Sequence, residues 1–300
     1  MPHSSPTSQK NIILGLIFAI IAALGFSAKA IFVKLAYQYH IDAITLLMFR
    51  MIFALPLFFI IAYLEEKKAS KRISHQHILL IILMGLIGYY LSSLLDFIGL
   101  MYISAGLERL ILFIYPTLVV VLSALFFGQR IQKEAYIALA LSYAGIALAM
   151  FHDIQFSSAN VILGSVLVFA ATLTYSIFLV GSGELIPKVG AKRFAAYAMI
   201  VSCIAVLIQF AIMRDSSDFI QPIPVYIYGL AMAVFSTVLP AILLAMAIEY
   251  IGASKTSIIG ALGPVATIIM ASIFLDEIIS LMQLLGAALV ILGVYILGKK

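Results

Sequence analysis

Six ionisable side chains sit inside stretches that are otherwise apolar: Lys29, Lys34, Arg50, Asp96, Glu108 and Arg109. A charge at the centre of a bilayer costs ~2.5–3.5 kcal/mol on insertion scales, so six of them facing lipid would cost on the order of 10–20 kcal/mol. They must therefore face a cavity or one another. Four are basic and two acidic, which leaves a positive surplus able to attract an anionic group. Three roles fit this set. The groups can be buried ion pairs, Asp96 with Arg109 or Glu108 with Arg50, that hold helices in register. They can contact or gate a solute, or one carboxylate can carry a proton. Lys34 has a further option, since its long stem can snorkel to the surface.

Spacing narrows the candidates. Tyr89, Ser92, Ser93 and Asp96 follow i, i+3, i+4, i+7, which puts them on one face of a helix. A polar stripe on an apolar helix should line an interior. Glu108, Leu112 and Tyr115 share a face on the next helix, beside a kink expected at Pro116; Pro264 is a second expected kink. A proline leaves a backbone carbonyl of the preceding turn unpaired, open to a solute or tolerated as a bend. Tyr115, Tyr175 and Tyr250 can stack on a ligand or anchor helices at the membrane interface. Asp96, Glu108 and Arg109 lead as substrate-binding or gating residues, followed by Lys29 and Arg50.

Bond-making chemistry finds no constellation. The chain has no H-E-x-x-H pair, no G-x-S-x-G turn and no G-x-x-x-x-G-K-[ST] loop. None of the five histidines lies well inside an apolar run, and Cys203 has no His nearby. The reading is not an enzyme, with no cofactor and no metal.

The elements that must position these residues follow from hydropathy. Of 300 residues, 64% are hydrophobic and 10% charged, whereas soluble domains carry roughly 25% charged residues. Lipid is the natural solvent for such a chain. A spanning helix needs about 20 apolar residues, and ten runs approach that length: 12–36, 43–63, 78–101, 104–127, 134–151, 160–182, 193–213, 225–247, 253–274 and 281–298. Basic residues gather at the start and in alternate connections, namely Lys10, then Lys67, Lys68, Lys71 and Arg72, then Arg130 and Lys133, then Lys188, Lys192 and Arg193, then Lys255, and finally Lys299 and Lys300. The positive-inside rule places those connections and both termini in the cytoplasm. Arg214, with Asp215 and Asp218, falls outside. The net charge of +5 is thereby a topology signal and not a nucleic-acid footprint.

The second half echoes the first. Tyr102-Ile103-Ser104-Ala105 matches Tyr250-Ile251-Gly252-Ala253 at an offset of 148 (250 − 102), which also pairs Pro116 with Pro264, Gln129 with Glu277 and Gly145 with Gly293. Gly15 with Gly164 and Ser27 with Ser176 align at 149 (164 − 15). With an odd number of spans per half, the two units are inserted in opposite senses, as in carriers that rock about a midplane site.

The stretch Gly99-Leu100-Met101-Tyr102-Ile103-Ser104-Ala105, continuing to Tyr115-Pro116-Thr117-Leu118, resembles EamA-type members of the drug/metabolite transporter superfamily. So do Gly263-Pro264 through Phe274-Leu275-Asp276-Glu277, Gly286-Ala287-Ala288-Leu289 and Gly293-Val294. The resemblance implies ten helices, internal termini, and export or exchange of amino acids, nucleobases and other metabolites. Gln129 departs from the Glu common at that place in such repeats.

The expected protein is all-α, with two inverted five-helix repeats over 12–151 and 160–298 around a central cavity. It is expected in the cytoplasmic (inner) membrane, as a secondary transporter for a small metabolite such as an amino acid or related carboxylate. Its partners are the lipid bilayer and that solute, with no nucleic acid; a homodimer is compatible with the pattern. A membrane scaffold or receptor, or a lipid flippase, would share the hydropathy.

Overall fold

A proline decides where one of the helices breaks. Pro116 cannot donate to the carbonyl of Leu112. In the computed structural model one helical piece ends at Leu112 and the next begins at Tyr115. The structure describes residues 9–69, 72–128, 133–156, 160–260 and 262–298; Lys71, Gln129, Arg130, Lys299 and Lys300 lie outside them.

Every element among the described residues is helical. Helix α1 is Gln9–Tyr37 and α2 is Ala43–Lys68, the latter opened by Asp42, whose side chain accepts from the amides of Ile44 and Thr45. Helix α3 runs as His75–Met84, a π-helical segment Gly85–Leu91, and Ser92–Gly99. Helix α4 has two pieces, Ala105–Leu112 and Tyr115–Phe127. Then come α5 (Lys133–Phe156), α6 (Val161–Val189) and α7 (Ala191–Met213). Helix α8 joins Ile223–Ala233, a second π-helical segment Val234–Val238, and Leu239–Gly260. Helices α9 (Leu262–Phe274) and α10 (Leu281–Gly298) close the chain.

Each apolar run read from the sequence falls on a helix. Among the described residues, seven helices are long and apolar enough to cross a membrane, and three more apolar helices, Tyr136–Phe151, Leu262–Phe274 and Leu281–Ile296, are shorter. The boundary expected near Gly252 differs: α8 continues through it to Gly260. The equivalent point in the first half has Ser104, whose hydroxyl accepts from the Leu107 amide and starts a new helix. Gly252 has no side chain to do that.

Helices α1 and α8 lie side by side, as do α3 and α6, α2 and α7, and α5 and α10. A methyl group at Gly15 would sit 2.5 Å from Ile251 Cγ2, and one at Gly164 would sit 2.7 Å from Ile103 Cγ2. These are the same two contacts at repeat-related positions. Helices α2 and α7 run antiparallel, with Asp42 against Arg214 at one end and Glu66 against Arg193 at the other. These pairs name the two ends of the bundle below. The main apolar core packs α1, α2, α3, α7 and α8 around Leu46, Met48, Met51, Phe97 and Cys203.

Candidate functional site

Lys29 on α1 holds the centre of the charged group. Its ammonium donates a hydrogen bond to Asp96 Oδ2 of α3 and lies 2.9 Å from Glu108 Oε1 of α4. Asp96 is 3% exposed and Glu108 is fully buried, while the Lys29 side chain retains 14% exposure. Each residue stands within a few turns of the Arg214 end. Asp96 lies in the last turn of α3, and Glu108 lies in the first turn of α4, where a carboxylate opposes the positive end of the helix dipole.

Both arginines lie apart from the carboxylates. Arg50 donates from Nε to Thr237 Oγ1 at 2.9 Å and from Nη1 to Ser93 Oγ at 3.4 Å, and its guanidinium sits 5.5 Å from the Phe97 ring centroid. Arg109 donates from Nη2 to Ser27 Oγ at 3.1 Å and passes close to Gly263. The pairings Asp96–Arg109 and Glu108–Arg50 do not form. Lysine's long stem spans from α1 to both acids, and each arginine is taken by a nearer hydroxyl.

The stripe expected on α3 divides between three neighbours. Ser92 donates to Ala171 O of α6 at 2.9 Å, Ser93 accepts from Arg50 of α2, and Asp96 meets α1. Tyr89 packs against Phe178 of α6 with the rings tilted and their centroids 4.6 Å apart. The cause is the π-helical segment, whose wider turn rotates Tyr89 away from the face that Asp96 occupies. The face shared by Glu108 and Tyr115 is likewise broken by the interruption at Phe113–Ile114.

Tyr115 and Tyr175 meet edge to face at 5.8 Å, and Tyr175 stacks on Phe178 at 5.8 Å, which in turn stacks on Phe194 at the start of α7. These rings, with Tyr89, form an apolar column running from the charged group toward the Arg193 end. Pro116 stands at the head of the second piece of α4, and Pro264 is buried near the start of α9. Lys34 is half-buried on α1, and Tyr250 packs against Phe18 at 6.0 Å.

Other contributors carry no charge signature. The Ser27 hydroxyl lies 2.7 Å from Ala23 O of its own helix and 3.1 Å from Gly263 O, and Thr267 donates to Ser27 O, so α9 is tied to α1 beside Arg109. Thr237 belongs to the second π-helical segment and also donates to Met232 O. Glu277 accepts from the Ala105 amide at 3.1 Å and caps α4 from across the molecule; its match to Gln129 in the repeat is the one cue the sequence offered. Outside the spans, Asp42 and Arg214 face each other at 2.9 Å. Burial would raise the Asp42 carboxyl, but hydrogen bonds from Arg214 and Thr45 and the Arg214 charge hold it below the usual range.

Two carboxylates and three cations meet where α1, α2, α3, α4, α8 and α9 converge, beside the packed rings. That suits recognition of a small polar solute inside a membrane protein.

Comparison with known proteins bears on the same point. The EamA-like transporter family matches twice, over residues 13–151 and 162–299. The Bacillus subtilis (strain 168) protein called Uncharacterized transporter YcbK is 31% identical over 278 residues, covering 91% of this chain and 88% of that protein. The Pseudopaline exporter CntI of Pseudomonas aeruginosa (strain UCBPP-PA14) is 23% identical over 286 residues, covering 95% and 96% respectively. A crystal structure at 14% identity shares the fold with a TM-score of 0.65 over 94% of this chain and 96% of that one. The chain is a multi-pass membrane protein and belongs to the EamA-like transporter family.

Proposed function

We propose that this protein is a secondary transporter that moves a small carboxylate-bearing metabolite, such as an amino acid, across the cytoplasmic (inner) membrane by alternating access. The carrying observation is the buried Lys29–Asp96–Glu108 group flanked by Arg50 and Arg109, all from the first half, with Thr237 and Gly263 of the second half against the two arginines. Stabilising so many charges away from water is costly, and a scaffold has no need of them. The surplus of positive charge favours an anionic group on the cargo. Export is the direction suggested by the Pseudomonas relative's name.

The machine we propose is ten spans in two inverted units, 12–151 and 160–298, with both termini cytoplasmic. Repeat-related detail supports it. The π-helical segments and the Gly15 and Gly164 contacts recur near the 148-residue offset of the sequence match. In this scheme the charged group closes the external side and the ring column closes the cytoplasmic side, opening in alternation as the halves rock.

The test is flux in proteoliposomes against a broad panel of amino acids, nucleobases and organic acids. At least one solute is expected to cross faster than in protein-free vesicles. No accelerated solute, in vesicles whose protein is folded, overturns the reading.

A further inference from the structure

The charged group is paired in an uneven way. Arginine is the strongest carboxylate partner a protein has, because its planar fork gives two parallel hydrogen bonds. Here Arg50 and Arg109 bond only to hydroxyls among the described residues, while two carboxylates crowd one lysine. A cluster serving only to lock helices together would pair them the other way.

The carboxylates are also short of donors. Asp96 Oδ1 and Glu108 Oε2 accept no hydrogen bond from the described residues, although both are buried, and Glu108 Oε1 has only the Lys29 ammonium, at 2.9 Å. One ammonium, that of Lys29, is thus shared between Asp96 Oδ2 and Glu108 Oε1, and the other oxygen of each acid is left over. A buried acceptor left without a donor is costly. A compact ammonium entering between the two acids brings three N–H donors, which is what those oxygens lack. A bare carboxylate brings none.

The lysine is the member built to move. Asp96 and Glu108 are short side chains on helix ends, whereas Lys29 ends a flexible four-carbon stem and keeps a path to solvent. Of the five N–H donors on each guanidinium, Arg50 uses two and Arg109 one, leaving edges free for a carboxylate. The cluster thus has an anion-seeking part and a cation-seeking part.

We infer that the Asp96–Glu108 pair is a binding site for the ammonium of the cargo, that Lys29 fills it when no cargo is bound, and that the carrier therefore takes amine-bearing carboxylates in preference to simple carboxylic acids. This rests on the carrier reading above. On entry the cargo's ammonium displaces that of Lys29, and its carboxylate takes the free edge of Arg109 or Arg50. No bond is made or broken.

Two measurements test it. The first uses the full-length Lys29→Met variant in detergent, with thermal unfolding followed at constant ionic strength and pH in propylammonium chloride, tetramethylammonium chloride or sodium chloride. Propylammonium is expected to raise the unfolding temperature of this variant. Tetramethylammonium, which has no N–H, is not, and neither salt should shift wild type or Lys29→Met/Glu108→Gln. The absence of a propylammonium-specific rise, or an equal rise in wild type, overturns the inference. So does a variant stabilised only by lowering the pH, since protons alone would then satisfy the pair.

The second uses wild-type proteoliposomes and matched solutes: L-alanine with propionate, L-glutamate with glutarate, and L-phenylalanine with 3-phenylpropionate. It holds whether or not the variant folds. The amine-bearing member of at least one pair should be carried about tenfold better, a difference of ~1.4 kcal/mol. Equal flux within every transported pair removes the ammonium site and leaves the carrier. Flux of no solute removes the carrier and the inference together.

Discussion

Glu66 near the end of α2 and Arg193 at the start of α7 form a two-point ion pair, with Nε 2.7 Å from Oε2 and Nη2 2.6 Å from Oε1. The Tyr197 hydroxyl donates to the same carboxylate at 3.0 Å. At the opposite ends of these helices Arg214 meets Asp42. Helix α2 supplies the acid and α7 the base at both ends, so the antiparallel pair is clamped twice.

Removing one partner of the first clamp should destabilise the protein measurably. Arg193 is 7% exposed, so Glu66→Gln leaves a buried guanidinium with weaker acceptors, a loss of about 1–3 kcal/mol. Arg193→Lys should not restore the wild-type value, because an ammonium cannot occupy both carboxylate oxygens with the fork geometry. Thermal unfolding in detergent checks this. An unchanged unfolding temperature for Glu66→Gln would show the clamp to be idle.

The second clamp gives a pH signature. The Asp42 carboxyl is held below its ordinary value of 3.8, so its contribution is present above about pH 4 and disappears as pH falls through the lowered value. Asp42→Asn keeps a side-chain oxygen for the helix cap and removes only the ion pair with Arg214. The partners are partly exposed, so the difference from wild type should be under about 1 kcal/mol. Asp42→Ala removes the cap as well and should lose about 1 kcal/mol more. Unfolding temperatures of wild type and Asp42→Asn should converge at low pH. A gap that stayed constant as pH fell through and below the carboxyl's titration range would contradict this origin.

What the sequence made legible was the position of charge, because Lys29, Asp96 or Glu108 stands out against an apolar run. The bend expected at Pro116 was equally plain, since a missing N–H acts locally, and the helix is interrupted just before it. Partner choice was not legible. Whether Asp96 meets Arg109 or Lys29 depends on where three separate helices pass, and spacing along one helix carries no such information. The π-helical segments at Gly85–Leu91 and Val234–Val238 leave no residue signature, yet they turn Tyr89 toward α6 and bring Thr237 under Arg50. Ser27 and Thr237 were hidden for a different reason: hydroxyls are common in membrane helices, and most serve their own helix backbone.

Close packing of α5 on α10 predicts opposite outcomes at two glycines. A methyl group at Gly145 would stand 2.4 Å from Gly286 O, a backbone atom that cannot step aside. Gly145→Ala should therefore push the helices apart at about 1–3 kcal/mol. Gly183 in α6 is exposed, with nothing near its missing Cβ, so Gly183→Ala should be neutral or stabilising by up to about 1 kcal/mol. Thermal unfolding of the two variants side by side checks the pair, and an equal loss in both would count against the α5–α10 contact.

Asp96→Asn and Arg109→Gln separate a transport role for the charged group from a purely structural one. Asp96→Asn weakens the hold on Lys29, and Arg109→Gln removes a cation that bonds only to Ser27 among the described residues. If these groups read the cargo, transport should fall by about tenfold to a hundredfold in each, matching the ~1.5–3 kcal/mol of a charged hydrogen bond. Arg109→Lys, which keeps charge but loses the fork, should fall in between. The folded fraction, measured by size-exclusion profile and unfolding temperature, should change less than flux does. The contrary result is equally clear. A structural cluster would lower the unfolding temperature in proportion to lost activity and leave flux per folded molecule intact, because the group would then bear on how much carrier exists and not on what it carries.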